Sequence, residues 1–147
     1  MAMENLVGTY KLLSWEIRHE SGETTYPFGT DVQGMISYTE DGYIFAHIMA
    51  ANRKAYSGGD LFGGETSEIV EGANTHISYC GTYQTDGDEI IHNVDICSFP
   101  NWVSTEQRRH FEFEKGNLLL SVQDFHMKNE RVGSYLIWQP TNNRNAT

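Results

Sequence analysis

Apolar and polar residues alternate along most of this chain, and a turn signal follows each alternating run. The clearest case is residues 77–98, where Asp86-Gly87 is a strong two-residue hairpin signal. If Thr85 pairs with Asp88, one face of this hairpin is apolar apart from one histidine and contains Ile77, Tyr79, Gly81, Tyr83, Ile90, His92, Val94 and Ile96. The other face is mostly polar, so we expect the apolar face to point into a protein core.

Two further hairpins follow the same rule. Asp41-Gly42 joins residues 34–39 to 43–48, and Lys115-Gly116-Asn117 joins 105–114 to 118–124. In the later hairpin, the face that matches the apolar face of the next strand contains Gln107, Arg109, Phe111 and Phe113. In the earlier hairpin the pattern leaves open which side points inward, and one shared face contains Ile36, Tyr38, Phe45 and His47.

Strand-like segments at residues 6–18 and 133–139 complete eight antiparallel strands, nearly all of them linked by hairpins. Closing such a sheet removes its exposed edges, so the pattern predicts an all-β, eight-stranded, up-and-down barrel. Only residues 50–72, between strands 3 and 4, break the alternation. Residues 65–70 indicate a short helix there, and the glycines on either side indicate a mobile loop of the kind that often forms a lid or binding loop.

Composition and charge narrow the function. With 147 residues, 39% of them hydrophobic, the chain is expected to be one domain, with its core in residues 6–139 and a polar tail at 140–147. The net charge of −10 and the scattered basic residues argue against a nucleic-acid or membrane partner. Residues 1–5 show no secretory signal, so we expect a cytoplasmic protein. Whether it forms a homodimer stays open.

The first strand contains Gly8-Thr9-Tyr10, which resembles the Gly-x-Trp signature of lipocalins with tyrosine in place of tryptophan. Over residues 6–139 the chain is more similar to the bacterial and fungal lipocalin-like domain family. The matching segments are residues 6–16, 26–29, 34–43 and 79–83, His92, residues 99–102, the run that ends at Arg109, and Trp138. The resemblance implies a calycin-type barrel around a small-molecule cavity, and it implies no particular reaction.

His92 is the strongest candidate for chemistry because it lies in the middle of an apolar face, with Gly81 predicted directly across from it. An inward imidazole can act as a general acid or base near neutral pH, and the glycine would leave space beside the ring for a ligand. The alternative is a neutral core histidine that hydrogen-bonds a side chain of a neighbouring strand.

Arg109 shares its face with two phenylalanines, so this pattern also points it inward. A buried guanidinium needs an anion to compensate its lost hydration. If Tyr10 points inward, as the resemblance implies, then Glu16 does as well and can pair with Arg109. The alternative is that Arg109 holds a carboxylate or enolate oxygen of a ligand.

The remaining candidates form the wall of the predicted pocket. Aromatic walls are often simple packing, but tyrosine hydroxyls can also donate to a ligand carbonyl. The predicted substrate-binding residues are Tyr38, His47, Tyr79, Tyr83, Trp102 and Phe111. The sequence shows no zinc spacing, phosphate loop, dinucleotide fingerprint or Gly-x-Ser-x-Gly nucleophile, so we expect neither a metal nor a cofactor.

Together these residues favour a cofactor-free enzyme of secondary metabolism. It would isomerise, cyclise or dehydrate an oxygenated polyketide- or terpenoid-like substrate by proton transfer. His92 would move the proton, Arg109 would stabilise the developing enolate, and Glu16 would be the third polar group of the site. A non-catalytic carrier of a small hydrophobic molecule fits the same cavity, and a barrel filled by its own side chains is the third hypothesis.

Overall fold

The computed structural model describes residues 6–141, which include nine antiparallel strands, the α-helix of residues 66–74 and one 3-10 turn. The strands are β1 (Gly8–Arg18), β2 (Thr24–Thr25), β3 (Gln33–Tyr38), β4 (Tyr43–Met49), β5 (His76–Asp86), β6 (Glu89–Cys97), β7 (Thr105–Glu114), β8 (Asn117–Met127) and β9 (Glu130–Pro140). The helix α1 spans Thr66–Asn74, and the 3-10 turn spans Pro100–Trp102. The predictions for residues 1–5 and for most of the polar tail, residues 142–147, lie outside the described residues.

The sheet closes on itself because β1 pairs with both β3 and β9. The other neighbours follow chain order from β3 to β9, and the two-residue β2 pairs only with the end of β1, outside the ring. The ring therefore has eight strands, and the predicted all-β barrel is confirmed. Closure gives every long strand two partners, which removes the edges of an open sheet.

Side chains of the core fill the end of the barrel that holds the β3–β4, β5–β6 and β7–β8 hairpins, whereas the β8–β9 hairpin lies at the other end. Tyr10, Tyr38 and Tyr83 meet there edge to face, with ring centroids 6.3 Å apart for Tyr10 and Tyr38 and 4.9 Å apart for Tyr38 and Tyr83. Leu6, just before β1, is fully buried, and its carbonyl accepts a hydrogen bond from the Tyr10 hydroxyl at 2.9 Å. This half of the barrel is packed protein, so an internal ligand site is confined to the other half.

The β5–β6 hairpin turns at Gly87-Asp88, with Asp86 opposite Glu89, so its register differs by two residues from the predicted one. A shift of two residues keeps each side chain on its face, and His92 and Tyr83 do point inward. The prediction that Gly81 lies across from His92 is wrong, because His92 pairs with Tyr83.

Gly81 has a structural role that the sequence did not reveal. A β-bulge in β6 lies opposite Gly81. Gly81 pairs with Val94 and its neighbour Cys80 pairs with Ile96, so Asp95 is left without a partner on β5. A Cβ at Gly81 would overlap the carbonyl oxygen of Asn93. The glycine therefore permits close approach of two backbones and provides no space beside His92.

The β3–β4 hairpin differs from its predicted register by one residue, because Tyr38 pairs with Ile44 and the Thr39 N–H donates to the Tyr43 carbonyl, which leaves a loop of three residues, 40–42. Gly42 has a φ of 97°, the left-handed conformation that ends a three-residue loop of this kind. A shift of one residue turns each side chain to the opposite face. Phe45 and His47 consequently lie on the outer surface, which decides the orientation that the sequence left open and places His47, a predicted substrate-binding residue, outside the barrel.

The long connection from β4 to β5 joins the third and fourth strands of the ring, as predicted, and contains the helix α1. The helix extends beyond the predicted residues 65–70, and a capping box formed by Glu65 and Glu68 begins it. Arg53 donates hydrogen bonds to Thr75 and to the carbonyl of Gly72, which holds the loop against the helix. No helix within residues 6–141 is long and apolar enough to cross a membrane.

Candidate functional site

A cavity of about 540 Å³ occupies the half of the barrel opposite the β3–β4, β5–β6 and β7–β8 hairpins, next to the β8–β9 hairpin. Its wall is mostly aromatic and aliphatic, and consists of Trp15, Ile48, Ile77, Tyr79, Phe99, Trp102, Gln107, Arg109, Leu120, Val122, Asp124, Phe125, His126, Met127, Ser134, Leu136 and Trp138. Asp124 and His126 are exposed and mark the mouth, whereas Trp138 and Leu120 are buried at the inner end. A cavity of this size and composition is typical of a small-molecule site.

Arg109 brings a positive charge into this apolar wall. Its guanidinium donates to the carbonyl of Arg108 at 2.9 Å and to Oε1 of Gln107 at 3.5 Å, and lies 5.6 Å from the ring centroid of Trp102. Burial lowers the pKa of Arg109 from its usual value. Within residues 6–141 no carboxylate forms an ion pair with it. The cavity therefore contains a partly desolvated cation that protein carboxylates leave uncompensated.

Glu16 does not supply the missing charge, so the pairing of Glu16 with Arg109, one of the two alternatives, is wrong, and the predicted third polar group of the site lies outside the barrel. A β-bulge between Leu12 and Ser14 reverses the alternation of β1, so Trp15 points inward and Glu16 outward. Glu16 instead accepts a hydrogen bond from Arg18 at 2.6 Å on the outer surface. The bulge is also the reason that the sequence pattern missed Trp15 as a cavity residue.

His92 is fully buried and has a tyrosine at each ring nitrogen. Nε2 lies 2.7 Å from the Tyr38 hydroxyl, and Nδ1 lies 3.0 Å from the Tyr79 hydroxyl. Burial, with a smaller contribution from the charge of Arg109, lowers the pKa of His92 to about 3. The ring is therefore neutral at physiological pH. It does not belong to the cavity wall, and Tyr79 connects it to that wall.

The other predicted tyrosines lie deeper than the cavity. Tyr38 is 1% exposed and Tyr83 is 4% exposed, and the Tyr83 hydroxyl donates to the carbonyl of Thr39 at 2.9 Å. Neither belongs to the cavity wall, whereas Tyr79 does. Burial raises the pKa of Tyr79, so its phenol keeps its proton.

Of the remaining predicted residues, Trp102 lines the cavity. Phe111 does not line it and packs against the core. The ring of Trp102 packs edge-on against Tyr79, with centroids 5.7 Å apart. His47, outside the barrel, has its ring 6.0 Å from that of His76. In the part of the chain that the structure describes, no three His, Cys, Asp or Glu side chains come together as a candidate metal site.

Trp138 contributes a polar group that sequence reasoning missed. It is 1% exposed and lines the cavity, and its indole Nε1 is a buried nitrogen without a hydrogen-bond partner in residues 6–141. By contrast, Nε1 of Trp15 donates to the hydroxyl of Ser134 at 2.9 Å. Buried donors are normally paired, so an orphaned one in a cavity wall suggests that the cavity receives an acceptor.

The closed barrel, its aromatic-lined internal cavity and its one uncompensated cation are the features of a barrel that binds small ligands. The sequence pattern of the lipocalin-like domain family matches residues 7–141, and the chain belongs to that family.

Two known proteins extend the comparison. The chain is 23% identical over 103 residues to the 4'-hydroxy-3'-methoxypropiophenone carrier protein ppsC of Aspergillus oryzae, a match that covers 64% of this chain and 93% of the relative. A crystal structure of a mutant of the fluorescent protein UnaG aligns with a TM-score of 0.41 and 13% identity, over 94% of this chain and 97% of that one.

Proposed function

We propose that this protein binds and carries a small, oxygenated, aromatic molecule. The apolar body of the ligand lies against the tryptophans of the cavity, and one oxygen lies at Arg109. The observation that carries the proposal is the guanidinium of Arg109, which lines the cavity and forms no ion pair within residues 6–141. A ligand oxygen with negative charge or a strong dipole is the partner that such a cation lacks.

The geometry favours binding over the acid–base catalysis that the sequence suggested. A general base must come within about 2.6–3.2 Å of the proton that it removes. His92 lies behind Tyr79, and both of its nitrogens are engaged by tyrosine hydroxyls. The relative from Aspergillus oryzae is named as a carrier, which supports the same conclusion. The carrier hypothesis is thus preferred, with a hydroxylated aryl ketone as the first compound to test.

Titration with 4'-hydroxy-3'-methoxypropiophenone is expected to quench the intrinsic fluorescence to saturation at one ligand per chain. All 3 tryptophans of the chain, Trp15, Trp102 and Trp138, line the cavity, so each reports on its occupant. We expect Arg109→Met to weaken binding by roughly 30-fold, because a charge-assisted hydrogen bond is worth about 2 kcal/mol. The dissociation constants from the fluorescence titrations test this.

Arg108→Met is the matched control. Arg108 precedes Arg109 on β7 but points outward, where it pairs with Glu89 at 2.9 Å and with Glu106 at 3.5 Å. Its replacement removes the same charge and should change the affinity less than about threefold, since exposed ion pairs contribute little. Equal losses in the two variants would contradict a role for Arg109 inside the cavity. Recovery of a chemically altered ligand after incubation would instead restore the enzyme hypothesis.

A further inference from the structure

The side chains of Tyr38, His92 and Tyr79 form a chain of two hydrogen bonds, and the number of protons they carry limits which group donates in each bond. A neutral imidazole has one N–H donor and one bare nitrogen that accepts, and each tyrosine hydroxyl has one proton to donate. Tyr38 lies at one ring nitrogen and Tyr79 at the other. One tyrosine must therefore donate to the ring and the other must accept from it.

The burial of Tyr38 decides the direction of this chain. Tyr38 is 1% exposed among other aromatic rings, and within residues 6–141 the acceptor that its hydroxyl reaches is Nε2 of His92, at 2.7 Å. If Nε2 carried the proton, the Tyr38 hydrogen would be buried without an acceptor, which is a costly arrangement. Tyr38 therefore donates to Nε2, and the ring proton is on Nδ1.

The same count fixes the orientation of the Tyr79 hydroxyl. Its oxygen accepts the Nδ1–H of His92 at 3.0 Å, so its own proton is turned away from the ring. Tyr79 lines the cavity, and its hydroxyl bonds no acceptor of the described residues. The buried indole N–H of Trp138 is a second unpaired donor in the same cavity wall. Beside them, Arg109 has donors only.

We propose that the Tyr38–His92 pair fixes Tyr79 as a hydrogen-bond donor, and that the cavity consequently selects ligands whose oxygen carries no proton, namely a ketone carbonyl or an enolate. Tyr79, Arg109 and Trp138 contact the ligand, whereas His92 and Tyr38 are positioning residues that act through Tyr79. The choice of ligand rests on the proposed function, but the direction of the hydrogen-bond chain does not. A carbonyl accepts from these three donors, whereas none of them offers a good acceptor for the proton of an alcohol. Of the acceptors in the wall, Gln107 and Ser134 already accept from Arg109 and Trp15, and Asp124 lies at the exposed mouth.

The first experiment measures the tautomer of His92 in the ligand-free protein. Multiple-bond ¹H–¹⁵N NMR of the histidine side chains distinguishes a protonated ring nitrogen from a bare one. We expect a neutral ring with its proton on Nδ1, and Tyr38→Phe should release this preference. A proton on Nε2 in the wild-type protein would overturn the proposal, whatever the protein binds.

The second experiment compares 4'-hydroxy-3'-methoxypropiophenone with the alcohol obtained by reducing its carbonyl group. We expect the wild-type protein to bind the ketone at least roughly tenfold more tightly, and Tyr79→Phe to reduce this preference to less than about threefold. Tyr83→Phe is the matched control, because its hydroxyl bonds the carbonyl of Thr39 away from the cavity. It should keep the wild-type preference.

The infrared carbonyl stretch of the bound ¹³C-labelled ketone reports the donor directly. It should shift to lower frequency in the wild-type protein and in Tyr83→Phe, and shift back in Tyr79→Phe and in His92→Phe. An unchanged stretch in Tyr79→Phe would overturn the proposal. If neither compound binds, the proposed ligand class fails while the tautomer of His92 still decides the direction of the chain. Where a variant does not fold, the wild-type NMR result and the ketone preference remain decisive.

Discussion

Acidification from pH 7 to pH 4 is expected to lower the free energy of unfolding by about 3 kcal/mol through His92 alone. The pKa of this residue is lowered from 6.5 to about 3 in the folded protein, because the buried ring is desolvated and lies near the charge of Arg109. The unfolded chain therefore binds a proton at His92 at a higher pH than the folded chain does. This contribution is fully present above pH 6.5 and is lost as the pH falls through the interval down to about 3.

Urea denaturation at several pH values measures this effect, and His92→Gln isolates it. The variant is expected to be less stable than the wild type at pH 7, with a smaller loss on acidification, since it has no proton to gain at this position. His126→Gln is the control, because it removes an exposed histidine at the cavity mouth. Parallel loss of stability in the wild type and His92→Gln between pH 7 and pH 4 would contradict the buried, neutral state of His92.

The predicted and observed registers of the hairpins show which features of the fold can be predicted from the sequence. The error of two residues at β5–β6 left His92 on its predicted face, because side chains alternate with a period of two. The difference of one residue at β3–β4 separates Tyr38, which points inward, from His47, a predicted substrate-binding residue that lies on the outer surface. The alternation therefore predicts strands and closure well, but the side that a residue faces depends on the exact loop length.

β-Bulges were the second reason that the sequence pattern placed some side chains on the wrong face of their strand. The bulge after Leu12 reverses the rest of β1, which sends Glu16 outward and Trp15 inward. Nothing in the local pattern of β1 marks it, because a bulge depends on how both neighbouring strands pair with the bulged one. Gly81 marks an irregular position of β5 in the sequence, but a glycine in a strand indicates a close approach of two backbones as readily as free space beside a neighbouring side chain.

The candidate site was predictable where one strand decides the orientation. Arg109 and Tyr79, whose faces the alternation predicted, line the cavity, and so does the predicted substrate-binding residue Trp102. The environment of His92 was not predictable, because its hydrogen-bond partners are 54 and 13 residues away in the chain. Those partners change the inference from a catalytic base to a residue that orients Tyr79.

The division of the barrel into two halves explains how a cavity for a small ligand and a well-packed core can coexist in one barrel. The core includes the tyrosines at the end that holds the β3–β4, β5–β6 and β7–β8 hairpins, and it continues along the barrel to residues of the cavity wall such as Trp15 and Trp138. The other half keeps a cavity of about 540 Å³, whose wall includes Trp102 of the 3-10 turn, and the long β4–β5 connection leaves the barrel at the same end. His92 lies at the boundary, and through Tyr38 and Tyr79 it links the core to the cavity wall.

Gly81→Ala is expected to destabilise the protein by more than about 4 kcal/mol, the range reached when a substitution forces a rigid, packed structure apart. The added Cβ would overlap the carbonyl oxygen of Asn93 and lie 2.9 Å from its carbonyl carbon. These are backbone atoms of the adjacent strand, so no side chain can rotate to relieve the overlap. Separating β5 from β6 would break the bulge that sets Tyr79 opposite Cys97, and the midpoint of urea denaturation measures the loss.

Gly58→Ala is the control, because a Cβ there meets nothing within 4 Å and the residue lies in the exposed β4–β5 connection. It should change the free energy of unfolding by less than about 0.5 kcal/mol. A Gly81→Ala protein that lost less than about 1 kcal/mol would show that the two strands can part without disturbing the barrel.

If the variant folds, its affinity for the ketone tests whether the bulge also positions Tyr79 in the cavity wall. Since Tyr79 lies two residues before Gly81 on β5, any displacement of the strand should weaken ketone binding along with stability.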